Sequence, residues 1–347
     1  MSAAVHTETL VLFPTFGHLA PGGRGWIIPI RGAALEYCPL SLQQRFMLRI
    51  LRQVMKAKAA DLETPLFHER IRDFISRPLR ERELKVRVGA RSRAVTLHTS
   101  RNGQFNHEVV IPRDEVRHWE RSGVVREGWL PLEVTLDDEA STAQGQVQLL
   151  EPGGTSVISD IDDTIKHTGV MQRREMLWNT FLREFRPVSG MAELYRRWAG
   201  GGAVFHYVSS SPWQLFSVLS EYREVEAFPA GSIHLRSFRL RDHMIARLLL
   251  MRGSAKKRVI SSILKTFPER RFVLVGDCVE KDPEIYGAVA RKYPRQVSQI
   301  LIRNLPERRL SAQRATKAFR RIDDERVCLF RSAAELEAVN ALGSARG

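Results

Sequence analysis

Asp160 and Asp162 stand two residues apart at the end of a short apolar run, in the stretch Val157-Ile158-Ser159-Asp160-Ile161-Asp162-Asp163-Thr164-Ile165-Lys166. Residues i and i+2 of an extended strand project to the same side, so this spacing sets two carboxylates next to each other. Like charges that close repel, and the pair is at ease only with a shared proton or a cation. Such an arrangement suits a divalent metal together with nucleophilic or acid/base chemistry. Asp-Asp-Thr is also ordinary turn chemistry, and on this segment alone a polar turn capping a helix competes with the catalytic reading.

The rest of the chain decides between them. From residue 156 apolar strands alternate with helices. Strands are expected at 157–159, 203–208, 272–275 and 299–302. Helices are expected at 189–198, from Ser211-Pro212 onward, at 256–267, and from Ser332 near the C-terminus. This alternation predicts a parallel sheet with right-handed crossovers, in which a site forms at the carboxyl ends of the strands. The remaining candidate groups fall where that rule puts them. Ser209 follows the second strand, Asp277 ends the third, and Asp282 comes five residues later. Lys256 opens the helix leading into the third strand, with Lys257 as its rival. Each has a plain explanation by itself, as a helix start, a turn or a surface charge. Together they supply carboxylates, a hydroxyl and a cation, the parts needed to hold Mg²⁺ and transfer a phosphoryl group.

Residues 1–150 read differently. Alternating apolar and polar positions at Leu84-Lys85-Val86-Arg87-Val88 and 130–136, and the turn Arg101-Asn102-Gly103 between two strand-like runs, predict a β-rich, sandwich-like domain. A hairpin is expected across residues 9–29. A helical insert is expected at 45–58, introduced by the capping box Ser41-Leu42-Gln43-Gln44. Phe46, Ile50, Leu51 and Val54 recur at helical spacing as its packed face. Arg45, Arg49, Arg52 and Lys56 form a second stripe, either a solvated face or one that lies on an anionic membrane. No catalytic cluster falls in this part, which leaves it membrane or substrate docking. Residues 151–155 read as a linker, so two domains are expected, 1–150 and 155–345.

With 43% hydrophobic residues the chain has ample material for packed cores. Three cysteines, Cys38, Cys278 and Cys328, are too few and odd for a disulfide framework and suit the cytoplasm. The first residues lack the basic start and apolar stretch of a signal peptide, and no apolar run is long enough to span a membrane. Net charge is +15, and residues 236–326 hold about two dozen Lys and Arg against about ten acids. That bias favours phosphate, nucleic acid or anionic lipid as partner. No zinc-finger or helix-turn-helix spacing supports nucleic acid, so none is expected.

The motif set resembles the haloacid dehalogenase superfamily of phosphatases. Its four motifs correspond to Asp160-Ile161-Asp162-Asp163-Thr164, Ser209, Lys256 and Gly276-Asp277 with Asp282. Closer still, Phe205-His206-Tyr207-Val208-Ser209-Ser210-Ser211-Pro212-Trp213-Gln214, Phe228-Pro229-Ala230-Gly231, Phe267-Pro268 and Asp282-Pro283-Glu284-Ile285-Tyr286 are similar to the actin-patch-protein-type phosphatidate phosphatase catalytic domain, a relative of the lipins. The resemblance covers roughly residues 155–305. It departs from the pattern Gly-Asp-Ser-Gly, having Cys278 and Val279 in the last two places.

The resemblance implies a Rossmann-like parallel sheet of haloacid dehalogenase type without a large cap. It implies Asp160 as nucleophile, Asp162 as acid and then base, Ser209 donating to a phosphoryl oxygen, and Lys256 offsetting charge. It implies Mg²⁺ held by Asp160, the Asp162 carbonyl, Asp277 and Asp282. The expected reaction is hydrolysis of phosphatidate to diacylglycerol and phosphate through an aspartyl-phosphate, by a cytoplasmic enzyme that docks peripherally on an anionic membrane. Two alternatives are a phosphatase of the same mechanism acting on soluble phosphomonoesters or phosphoproteins, and a non-catalytic adaptor binding anionic lipid.

Overall fold

The computed structural model describes residues 7–91, 94–137, 141–237 and 254–337. The candidate residues sit on a six-stranded, wholly parallel sheet. Its order is Gly231–Arg236, Val204–Pro212, Thr155–Ser159, Arg271–Asp277, Val297–Arg303, Val327–Phe330. Strands covered on both faces read as continuous apolar runs, which is why the four inner strands are legible in sequence. The two edge strands are not. Gly231–Arg236 is broken by Ser232 and His234, and Val327–Phe330 is four residues long.

Helices Met191–Gly200 and Ser254–Thr266 lie near their expected positions. The helix expected from Ser211-Pro212 is a correction. The strand continues through Pro212, and a 3₁₀ turn, Trp213–Leu215, leads into helix Phe216–Val225 without a side-chain cap. Ser211 cannot serve as a cap because its hydroxyl donates to Asp162 instead, at 2.7 Å. After Ser332 the capping box forms, but it opens only a short 3₁₀ turn, Ala333–Leu336. The stretch between the first two motifs holds a two-residue ribbon, Lys166–His167 with Arg186–Pro187, and helix Arg173–Phe181. The expected absence of a cap between the second and third motifs falls partly on residues 238–253, outside the described residues.

Residues before 150 form one mixed sheet rather than two facing sheets, which corrects the sandwich expectation. The strand Gly25–Tyr37 is long enough to take different partners along its length. Residues 31–37 pair with Thr7–Phe13 and residues 25–33 with Gln104–Pro112. The sheet thereby curls round its own core of Trp26, Ile28, Ile30, Leu84, Val86, Leu130 and Val147. Gly32 permits the crowding: a Cβ there would strike the Val11 carbonyl and the Phe105 ring. The hairpin near the start joins Thr15–Leu19 to Gly25–Tyr37, while Thr7–Phe13 pairs farther along the same strand. The Arg101-Asn102-Gly103 turn forms, with Gly103 at φ 74°. Its flanking strands then part, Val95–His98 pairing with Glu83–Val88 and Gln104–Pro112 with Gly25–Tyr37. It is a corner and not a hairpin.

The helical insert comprises Leu42–Met55 and a second helix, Pro65–Ile75, that the sequence reading missed. Leu51, Met55, Phe67, Ile71 and Phe74 share one core with Leu177, Phe181 and Tyr195, so the insert packs on the helices beside the parallel sheet. Arg70 strengthens that seam, donating to the Thr180 carbonyl at 2.9 Å with its guanidinium 3.6 Å from the Phe185 ring centre. The expected linker is held as well. Arg270 donates to the carbonyls of Glu151, Gly153 and Thr155.

His206 is fully buried and belongs to the sheet core, not to the site. Its ring nitrogens meet Ser232 at 2.7 Å and Ser156 at 3.3 Å, and Ser232 in turn meets His234 at 2.9 Å. Burial pushes His206 well below its ordinary value, with His234 and Arg270 adding to the effect. Burial, with Arg31 adding, takes His234 down to about 3. Unfolding lets both rings bind protons near pH 6.5, so they contribute full stability above that pH and lose it as pH falls toward about 3. Urea midpoints should therefore drop on acidification from about pH 7 to 5, and less steeply in a His206→Gln variant. A flat midpoint across that range would contradict the assignment of neutral buried rings.

Candidate active site

The inner strands end together, and their ends bring four distant segments to one point. Asp160 follows Thr155–Ser159, its N–H bonded to the Val275 carbonyl at 2.9 Å. Lys256 reaches in from Ser254–Thr266. Its Nζ lies 2.9 Å from Asp160 Oδ1 and 2.5 Å from Asp282 Oδ1, and all three side chains are buried. Lys257 is exposed on the same helix, so the choice between the two lysines falls to Lys256. Asp277 ends its strand with Oδ1 accepting from the N–H groups of Val279 at 2.5 Å and Glu280 at 3.0 Å. That turn leaves Asp277 Oδ2 buried without a hydrogen-bond partner.

Carboxylate oxygens of Asp160, Asp277 and Asp282 all lie within 4.8 Å of one another. Glu280, which the sequence reading did not single out, adds a fourth acid, with Ser210 donating to its Oε2 at 3.4 Å and its Oε1 unpartnered. Its position three residues after Asp277, on the same tight turn, was the available signal. Burial pushes Asp160 well above the usual carboxylate range, against the pull of Lys256. Burial, reinforced by Asp282, takes Asp277 up to about 7. Burial takes Glu280 up to about 8, with Asp282 and Asp277 adding and Lys256 opposing. Lys256 moves the other way. Burial opposes its charge, yet Asp160 and Asp282 outweigh that and raise it. One ammonium cannot balance four acids, and the orphaned oxygen at Asp277 offers a hard, anionic ligand atom. The residues present therefore fit a small divalent cation such as Mg²⁺.

Asp162 is placed apart from that cluster. Its carboxylate accepts from Thr168 at 2.7 Å, Ser209 at 2.9 Å and Ser211 at 2.7 Å, and Lys166 Nζ stands 3.1 Å away. Burial works to raise it, but Lys166 and the hydroxyl donors prevail and hold it down to about 2. Ser209 was expected to face a phosphoryl oxygen; here its hydroxyl is occupied by Asp162. Thr168 and Ser211 gave no sequence signal, because a hydroxyl becomes a site residue only through the fold. Asp163 is the frame of the loop. At φ 53° it turns back and accepts from the N–H groups of Thr168, Gly169 and Val170.

The two departures in the fourth motif turn out to be structural. Cys278 is buried and directs its thiol to the Arg308 carbonyl at 3.1 Å, away from the acids. Val279 has no positive φ, so glycine's freedom is not required at that position. Gly276 is the constrained residue, because a Cβ there would collide with Asp282 Oδ2 and the Tyr286 ring. Gly276→Ala should displace Asp282, cost about 1–3 kcal/mol of stability and abolish most turnover. A melt and an activity assay within error of the parent would contradict this.

Known proteins bear on the same segment. Residues 155–304 match the catalytic-domain family of phosphatidate phosphatase APP1. The phosphatidate phosphatase APP1 of Saccharomyces cerevisiae is 38% identical over 158 residues, 44% of this chain and 26% of that protein. An uncharacterized protein of Schizosaccharomyces pombe is 27% identical over 216 residues, 61% of this chain and 32% of that protein. The chain thus spans about a quarter to a third of the length of these relatives. Among solved structures, a carbohydrate acetylesterase from Xanthomonas citri aligns over 87% of this chain and 61% of that one at 10% identity, with a TM-score of 0.27 that is too low to inform the fold. Residues 155–304, which carry five of the six parallel strands and all the candidate site residues, are thus similar in sequence to the APP1 phosphatidate phosphatase catalytic domain.

Proposed function

We propose that the chain is a Mg²⁺-dependent phosphatidate phosphatase with a haloacid dehalogenase-type fold and mechanism. The observation that carries the reading is the meeting of Asp160 with Lys256, Asp277 and Asp282 at the strand ends. Asp160, Asp277 and Asp282 would hold the cation, with the Asp162 carbonyl as a further ligand. When bound, Mg²⁺ would neutralise charge on the phosphoryl group and the acids around it.

The chain's own groups divide the reaction. An Asp160 carboxylate oxygen attacks phosphorus, the bond to the glycerol oxygen breaks, and an aspartyl-phosphate forms. Lys256 steadies the charge at Asp160 and at the phosphoryl oxygens. The departing alkoxide takes a proton from Asp162, and in the second step Asp162 removes a proton from the water that releases phosphate. In the resting arrangement Asp162 is ionised and engaged by two serine hydroxyls. A phosphoryl group that draws the Ser209 hydroxyl to itself weakens that hold and lets Asp162 take up the proton it later gives.

The test compares phosphatidate in mixed micelles with soluble phosphomonoesters and phosphopeptides, with Mg²⁺ and with chelator. Faster Mg²⁺-dependent release from phosphatidate supports the reading. Preference for the soluble compounds would move the substrate, and no release from any of them would leave lipid binding without catalysis.

A further inference from the structure

The helix Leu42–Met55 has two contrasting faces. Leu51 and Met55 are buried, with Met47, Leu48, Ile50 and Val54 packed against the same core. Opposite them, Leu42 is 85% exposed and Phe46 63% exposed, beside exposed Arg45, Arg49, Arg52 and the C-capping Lys56. At 3.6 residues per turn these six residues fall within an arc of about 120°. The placement of Phe46 corrects the sequence expectation, which put it on the packed face. The helix contains no acid, and among the described residues none of the four cations is ion-paired. A single exposed Leu is unremarkable on a protein surface. Two large apolar side chains one turn apart, fringed by four unbalanced cations, ask for a partner.

The face also lies next to the site. The Met55 carbonyl accepts from Arg174 Nε at 2.9 Å and Trp178 Nε1 at 2.8 Å. Both donors belong to helix Arg173–Phe181, whose Met176, Leu177 and Thr180 line the narrow cleft at Asp162. The C-terminal end of Leu42–Met55 thus abuts that helix, and the exposed face extends along about 20 Å of helix axis.

We propose that this face docks the protein on an anionic bilayer, with Leu42 and Phe46 entering the acyl boundary and Arg45, Arg49, Arg52 and Lys56 lying among the headgroup phosphates. The inference rests on the phosphatidate reading and gives it a location: a substrate anchored in a bilayer must be met there. Charge complementarity selects the partner. A shaped protein groove would call for an apolar stripe along the whole helix. Here the apolar pair occupies the first turns while cations run the full length, which fits shallow insertion into a fluid, negative plane.

The test uses the full chain and flotation with vesicles of phosphatidylcholine alone or mixed with phosphatidylserine. Neither lipid is a phosphomonoester, so binding is read apart from turnover. The parent should float with the mixed vesicles, weakly with phosphatidylcholine alone, and less at high salt. Arg45→Glu, Arg49→Glu and Arg52→Glu combined should weaken binding at least about a hundredfold. Phe46→Ser should weaken it with the charge intact, and every variant should hydrolyse a monomeric short-chain phosphatidate at the parent rate. Variants that float like the parent, or a parent that ignores anionic vesicles, overturn the proposal. So does a dimer in solution that Phe46→Ser dissolves, which would give the face to a second copy. Binding through this face by a chain that hydrolyses no phosphatidate upholds the docking surface and removes the proposed substrate instead.

Discussion

Asp160→Asn should lower turnover by roughly five orders of magnitude, because in the proposed mechanism it removes the nucleophile, and with it the covalent route, and not one contact among many. The fold should survive the change. Asp160 is a buried acid crowded by Asp282, Glu280 and Asp277. A neutral amide of nearly the same shape relieves that repulsion, while Lys256 keeps its pairing with Asp282. Stability should therefore stay within about 1 kcal/mol of the parent, or rise. The two readouts, an activity assay and a thermal melt, move independently here. A dead but stable variant is what a nucleophile predicts, and a dead, unfolded variant would assign Asp160 a merely structural part.

Lys256→Met is the opposite case, with both readouts expected to fall. The ammonium is the sole basic group within 4 Å of Asp160 and Asp282 among the described residues. Removing one member of a buried charge cluster typically costs about 3–5 kcal/mol, since the charges left behind have neither water nor partner. Turnover should fall about 10²–10³-fold or more from lost electrostatic stabilisation. Added Mg²⁺ separates this account from simple damage. If Asp160, Asp277 and Asp282 hold the cation, Mg²⁺ should raise the melting temperature of the variant more than that of the parent. Equal melts with and without Mg²⁺ for both proteins would argue that the three acids are not a metal site.

The sequence made the parallel-sheet half legible for a definite reason. Parallel strands buried on both faces are written as apolar runs, and the residues just past them are forced to one rim. Asp160, Ser209 and Asp277 could be placed from that rule alone. Lys256 was placed at the start of the helix leading into the third strand and preferred over Lys257 for its family-like distance from Pro268, and the helix phase, which buries Lys256 and exposes Lys257, agrees. What stayed hidden depends on tertiary detail. Thr168, Ser211 and Glu280 are common residue types whose importance comes from where a loop or turn aims them. The N-terminal half was less legible because antiparallel register is set by long-range partners. Gly25–Tyr37 reads as a strand, but its sequence does not say that it pairs with Thr7–Phe13 at one end and Gln104–Pro112 at the other. Phe46 shows the same limit on a helix, where periodicity identified an amphipathic element but assigned one large side chain to the wrong side.

The most direct measurement is a rapid acid quench of the full chain turning over phosphatidate labelled in its phosphate, followed by peptide mapping. Mg²⁺-dependent label is expected on the peptide containing Asp160, lost in Asp160→Asn and chased by unlabelled substrate. Label on a different residue, or an Asp160→Asn protein that turns over at the parent rate, would contradict it.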